Sequence, residues 1–213
     1  MCIRDRIETP PQRFLSEQLA EGDVVGVDAR CLSLQSFETI QECLAGKGIG
    51  FQATGQNLVD EIWLDRPKAP VAPILLLDQA ITGMSSMDKR SAVADVLIQQ
   101  DADAAFITQL ESIASLLNIR GDDVPHLPVL LAHGLITKEG HFTLFTDIAK
   151  IVDGFSDHVG DHVSVAPIGE FDDYLGELSK GVSRLLVDPL SCCLLYTSPS
   201  PRDLSTSRMP SSA

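Results

Sequence analysis

Long apolar runs are missing from this 213-residue chain. No stretch reaches the roughly 18 consecutive apolar residues that a membrane-crossing helix needs. Met1–Arg6 carries no apolar segment of the kind found in a secretory signal. Positive charge is also scarce. Sixteen Lys and Arg face thirty Asp and Glu, for a formal net charge of −14. A chain this acidic repels phosphate backbones, so neither nucleic acid nor an anionic membrane is an expected partner. Aromatics are few (eight Phe, two Tyr, one Trp), which leaves little material for base stacking. Of five cysteines, three sit in the end tracts (Cys2, Cys192, Cys193). Cys31 and Cys43 have neither metal-ligand spacing nor a disulfide framework, which fits a reducing, cytoplasmic compartment. Gly46-Lys47-Gly48-Ile49-Gly50 lacks the Lys-Ser/Thr pair and following helix of a phosphate loop, and there is no Gly-x-Ser-x-Gly elbow.

The two ends read differently from the middle. Back-translated, Met1-Cys2-Ile3-Arg4-Asp5-Arg6 resembles a transposase mosaic end. Its reverse complement in another frame gives the Cys-Leu-Leu-Tyr-Thr-Ser of Cys193–Ser198. Residues 1–6 and 192–213 are therefore expected to be translated library adapter and are kept out of fold reasoning. Without Arg4, Arg6, Arg202 and Arg208, and without Asp5 and Asp203, the net charge becomes −16.

Strand and helix patterns alternate along the remaining span. Val24–Asp28 reads as a strand. Leu32–Leu44 places Phe37, Ile40 and Leu44 on one helical face, with Ser33 or Ser36 as cap. Ile49–Ala53 is a second strand, and Asn57 caps a short helix ending near Leu64, with Trp63 as its core anchor. Arg66–Pro73 holds three prolines and reads as an extended linker. A domain boundary is placed just beyond it, near Asp78. The second unit opens with a helix from Ser86 to Gln100, its buried stripe Val93, Val96 and Leu97. Next come a strand at Ala104–Thr108, a short apolar helix, a polar turn at Asn118–Asp123 and a buried strand at Val129–Ala132. A hairpin spans Gly134–Thr146. A helix within Ile148–Val159, a strand at Val163–Val165, a helix at Phe171–Leu178 and a strand at Arg184–Asp188 complete it. This alternation implies α/β domains with helices on the faces of mixed sheets.

Leu116-Leu117-Asn118-Ile119-Arg120-Gly121-Asp122-Asp123-Val124-Pro125 resembles a turn of the Xaa-Pro aminopeptidases, the aminopeptidase P branch of the creatinase/prolidase superfamily. Val25-Gly26-Val27-Asp28, Asn57-Leu58-Val59-Asp60-Glu61-Ile62-Trp63, Ala104–Thr108 and Glu111-Ser112-Ile113-Ala114 match in the same order. The resemblance implies two creatinase/prolidase N-terminal-like α/β domains: a truncated first one at residues 7–78 and a second at 79–191. It also implies a C-terminal pita-bread metallopeptidase domain, absent here, that would hold two divalent metals, often manganese, and release an N-terminal residue preceding proline. This stretch would then be non-catalytic and cofactor-free. It would shape the active-site mouth of a homodimeric parent and meet peptide only through the missing domain. A stand-alone interaction module, or the N-terminal part of a prolidase or creatinase, is the alternative.

The candidate mouth or interface residues are Arg120, Asp122, Asp123 and His126; no catalytic or metal-ligating residue is assigned. Arg120 closes an apolar helix, where a cation offsets the helix C-terminal dipole, or offers its fork to a substrate carboxylate. Asp122 and Asp123 are adjacent, so they point apart and accept turn hydrogen bonds or pair with Arg120. His126 lies between Pro125 and Pro128. Asp157-His158 and Asp161-His162 are spaced four apart, but Gly160 breaks any shared helical face.

Overall fold

The computed structural model describes residues 9–178, 181, 183–197 and 207–208. Most of the two end tracts, Met1–Arg6 included, lies outside them. The chain divides into two compact units, residues 1–66 with 189–198, and residues 67–188 with 199–213.

In the first unit, helix α1 (Pro11–Gln18) precedes strand β1 (Val24–Asp28), helix α2 (Leu34–Ala45), strand β2 (Gly50–Thr54) and helix α3 (Leu58–Ile62). Ser33 Oγ accepts the Ser36 N–H at 3.3 Å and starts α2. α2 buries Ile40 and Leu44, and these pack with Ile49 against Val25 and Phe51. β1 and β2 pair in parallel, Val24 opposite Gly50 through Asp28 opposite Thr54. At the strand ends Asn57 joins two elements: Nδ2 donates to Asp28 Oδ2, and Oδ1 caps α3 by accepting from Val59 N at 2.8 Å.

Trp63 departs from expectation. It is 45% exposed, with the Arg66 guanidinium 5.5 Å above its ring. α3 buries none of its residues, and Leu58, Val59, Ile62 and Leu64 are all exposed. The helix is five residues long and sets Asp60 and Glu61 among Leu58, Val59 and Ile62, too short a pattern to say which face turns inward. Residues 192–197, set aside on sequence grounds, lie in this unit. The Leu34 N–H donates to the Cys192 carbonyl (3.0 Å) and the Leu194 N–H to that of Leu32 (2.8 Å). Cys192 and Leu194 are buried, and helix α9 (Leu194–Thr197) follows. Apolar side chains and open backbone donors are enough to seat this segment.

The second unit is built on a mixed sheet. β4 (Ala104–Ile107) pairs antiparallel with β6 (His133–Thr137) and parallel with β9 (Leu185–Val187). β6 pairs antiparallel with β7 (Phe142–Thr146), and β7 parallel with β8 (Val163–Pro167). β10 (Ser207–Arg208) flanks β9, giving the order β10-β9-β4-β6-β7-β8. Gly140, at φ +81°, lets the β6–β7 turn close with its N–H on the Thr137 carbonyl. The core gathers Leu97, Ile113, Leu117, Leu130, Ile136 and Phe142.

The boundary falls earlier than expected, at Arg66/Pro67 rather than near Asp78. Ile74 is buried in the second core, and β3 (Leu75–Leu76) pairs antiparallel with β5 (Ile119–Arg120). The prolines break helix without preventing this docking.

The helix α5 (Ser86–Gln99) corrects another expectation. Its buried residues are Ser86, Arg90, Ala94 and Leu97, while Val96 is 50% exposed. Arg90 is 2% exposed. Its guanidinium donates to the carbonyls of Gly140 (3.0 Å), Val159 (2.9 Å), Asp161 (2.8 Å) and His162 (3.4 Å). Burial pulls its pKa down, against the opposing pull of Asp161. One buried cation thus closes carbonyls of two stretches, the turn at Gly140 and residues 159–162, onto one helix. Arg90→Met is expected to destabilise the chain by about 3 kcal/mol or more in urea titration, because the carbonyls stay buried without donors.

A half-buried polar group, His133, lies among aromatics. The His133 ring sits 5.6 Å from Phe106 and 4.8 Å from Phe171, which stacks on Phe106 at 4.7 Å. Burial pushes the imidazole below its ordinary 6.5, while nearby Asp172 works in the opposite direction. The folded pKa lies below the unfolded one, so the stability from the neutral ring is complete above the unfolded value. It is lost as pH falls through the folded value. The melting temperature is expected to drop as pH falls below about 6.5, and His133→Phe to flatten that decline.

Candidate functional site

The turn at 116–131 is built residue by residue. Helix α6 (Leu110–Leu116) buries Ile113, Ala114 and Leu116, and Leu117 behind it is 0% exposed. Asn118 then takes φ +56°, a left-handed conformation that Asn tolerates. It is buried, and its polar atoms are used. Nδ2 donates to the Met84 carbonyl (2.8 Å), and Oδ1 accepts from Lys89 Nζ (2.6 Å). Its carbonyl accepts from Leu77 N (2.9 Å) and from His158 Nε2 (3.0 Å). A carbonyl only accepts, so Nε2 is the protonated ring nitrogen. Ile119 returns to the core, and Arg120 pairs with Leu75 across β3 and β5.

Arg120 Nη1 donates to the Ile119 carbonyl (2.7 Å) and, at 3.4 Å, to that of Ala114 in the last turn of α6. This is the helix-end role expected of it. Gly121 has no room for a side chain: a Cβ would lie 2.7 Å from the Val129 carbonyl oxygen and 2.8 Å from Leu130 N.

Asp123 turns inward. Its side chain is 1% exposed, and Oδ2 accepts from Lys150 Nζ (2.6 Å) and from the Leu131 N–H (2.6 Å). Lys150 is 3% exposed at its side chain. Asp123 Oδ1 is buried with no hydrogen-bond partner among the described residues. The expected pairing with Arg120 is corrected: the cation is Lys150. Residues 129–132 are not the expected strand either. They are mostly buried, and Asp123 and Thr146 replace a ladder. The Asp123 N–H reaches the Val129 carbonyl (3.2 Å), and Thr146 Oγ1 that of Leu131 (2.9 Å).

The outer face of this turn is an open cleft of ≈ 470 Å³, with Pro73, Leu75, Leu127 and Pro128 as apolar walls and Arg120, Asp122 and His126 as its polar groups. His126 holds φ +68° at the tip of a tight loop closed by the Leu127 N–H on the Val124 carbonyl (3.0 Å). Three of the four expected residues therefore come together, and Asp123 does not join them. Lys150 and Lys89 were missed. The signal for Lys150 was present: a single cation inside Ile148-Ala149-Lys150-Ile151-Val152 needs a buried partner.

The histidines do not converge. His158 lies on α7 (Phe155–Val159) and serves Asn118, whereas Gly160 (φ +75°) and His162 (φ +67°) lie beyond the helix end. Among the described residues no three His, Cys, Asp or Glu could hold a metal ion together. No described helix is long and apolar enough to cross a membrane.

The sequence pattern of the Creatinase/Prolidase N-terminal domain family matches residues 65–211. The chain belongs to that family. It is 29% identical to Xaa-Pro aminopeptidase 1 of Dictyostelium discoideum, over 91% of this chain and 32% of that protein. It is 32% identical to Aminopeptidase P2 of Arabidopsis thaliana, over 83% of this chain and 25% of that protein. X-prolyl aminopeptidase from Caenorhabditis elegans, described as a cytosolic enzyme with a di-nuclear active site, shares the fold with a TM-score of 0.77. It is 27% identical and covers 87% of this chain and 31% of its own. The creatinase/prolidase chain described here is thus the N-terminal part of an Xaa-Pro aminopeptidase-like protein, and it spans between a quarter and a third of these relatives' lengths.

In this family member the buried ion pair dominates the turn. Asp123→Asn, which strands the Lys150 charge, is expected to cost about 3–5 kcal/mol of unfolding free energy. The double change Asp123→Leu with Lys150→Met is expected to cost clearly less than the sum of the two single changes. Urea titration of the four variants, Asp123→Asn, Asp123→Leu, Lys150→Met and the double, measures both.

Proposed function

We propose that this chain is the non-catalytic N-terminal portion of a metal-dependent Xaa-Pro aminopeptidase, whose parent releases the N-terminal residue preceding proline. The supporting observation is the fold likeness to the C. elegans enzyme over 87% of the chain. In this reading the two units on either side of Arg66/Pro67 are two creatinase/prolidase N-terminal-like domains, and the first is truncated. Among the described residues its sheet has two parallel strands, small for a class that is normally larger and covered on both faces.

The cleft between Arg120 and His126 faces the parent's active-site mouth, and the parent works as a cytoplasmic homodimer. The described residues do not fit a metal pair, since no three potential ligands converge. Two divalent ions, manganese in the first instance, belong to the parent's other part and supply hydrolytic chemistry there. This chain contributes walls and orientation: the pinned Arg120, the carboxylate of Asp122 and the apolar residues around them.

The test is an assay of two proteins on a peptide with proline in the second position, with manganese present. The longer polypeptide encoded at the source locus is expected to release the first residue, and the purified 213-residue chain to release none. Turnover by the short chain, or inactivity of the metal-loaded long one, overturns the proposal.

A further inference from the structure

Arg120, like Lys89 and Arg90, is held by uncharged oxygens, but unlike them it lines an open cleft. Lys150 is paired with Asp123, Lys138 with Asp103 (2.7 Å), and Arg90 is closed by four carbonyls. Arg120 lies in a chain with nearly twice as many acids as bases, yet it forms no ion pair among the described residues. Both of its hydrogen bonds leave from Nη1. A guanidinium carries five N–H donors, so Nη2 and Nε have no partner among the described residues in a head held by two carbonyls.

That head lines the cleft walled by Pro73, Leu75, Leu127 and Pro128. Low-dielectric walls strengthen a charge-assisted bond, and a pre-positioned fork loses little entropy when it binds. Planar carboxylate is the anion that fits such a fork in two-point contact. His126 and the exposed Asp122 line the same cleft, the imidazole as a further polar group and the carboxylate as a charge that repels an anion.

We propose that this cleft is a carboxylate subsite that takes the free C-terminus of a short peptide on Arg120, with the peptide's last side chain against Leu75 and Leu127. The inference rests on the peptidase reading above and adds a preference for short, unblocked substrates.

The test is an NMR titration of the 213-residue chain with three probes: Ala-Pro-Ala, its C-terminal amide, and Ala-Pro-Glu amide, which carries its only carboxylate on a side chain. Ala-Pro-Ala is expected to shift the backbone amides of residues 119–128 and to bind about ten-fold more tightly than either amide. Arg120→Gln should remove that ten-fold advantage, Arg120→Lys should keep part of it, and Asp122→Asn should tighten binding about two-fold or more. The last variant leaves the Arg120 contacts intact, so it tests the site even if Arg120→Gln loosens the turn.

Equal binding of acid and amide, equal binding of the side-chain carboxylate, or equal displacement by inorganic phosphate overturns the assignment. Inactivity of the longer polypeptide would overturn the peptidase reading while leaving the Arg120-dependent shifts in place. An active long polypeptide without those shifts would overturn the subsite alone.

Discussion

The buried carboxylate of Asp123 is the constraint on which the second unit's turn depends. Residues 129–132 pass against Gly121 on the way to β6, and they have no strand partner among the described residues. Buried backbone donors without partners are costly. Asp123 resolves this locally by taking the Leu131 N–H on the same oxygen that receives Lys150. Oδ2, the Lys150 ammonium and the Leu131 amide then satisfy one another in a buried place, while Oδ1 has no hydrogen-bond partner among the described residues. Gly121 makes the crossing possible, because any side chain there would strike the Val129–Leu130 peptide. The cleft above inherits its shape from this arrangement: Leu127 and Pro128 form its wall because the chain behind them is anchored.

Arg90 applies the same physics across the sheet. Four carbonyls from the β6–β7 turn, the end of α7 and the loop before β8 converge on its guanidinium. In a chain with few cations, the buried ones are placed where backbone polarity would otherwise be stranded. Asn118 completes the set by joining α6, α5, β3 and α7 through one amide side chain and its own carbonyl. Lys89, Met84, Leu77 and His158 come from segments far apart in sequence, which is why the Leu-Asn-Ile-Arg-Gly turn cannot be understood locally.

That also explains what the sequence could and could not convey. Short-range physics was legible: the caps at Ser33 and Asn57, the β6–β7 hairpin around Gly140, and the apolar strands at 104–107 and 185–187. Long-range partners were not. Arg90 looks like a solvent-facing residue until the carbonyls of residues 140–162 are folded onto it, and it displaces Val96 from the buried stripe. Trp63 reads as a core anchor by size alone, yet its helix has no covered face among the described residues. At the candidate site the residue types were readable, while the direction of each side chain was not. Asp122 and Asp123 differ by one position, and that difference sends one to solvent and the other into the core.

The cluster of charge that first resembles catalytic equipment divides by accessibility. Asp123 has its hydrogen bonds inside, and Asn118 is enclosed. Gly121 is present because the backbone passes too close for anything larger. Each of these three is accounted for by folding. Arg120 is only partly so: two carbonyls hold it through one nitrogen, and the rest of its fork lies at an apolar cleft beside an exposed carboxylate and a histidine in a left-handed turn. A structural cap would need no cleft beside it. The apolar walls at Leu75 and Leu127 raise the strength of any bond made there, and that surplus over structural need is what singles out Arg120.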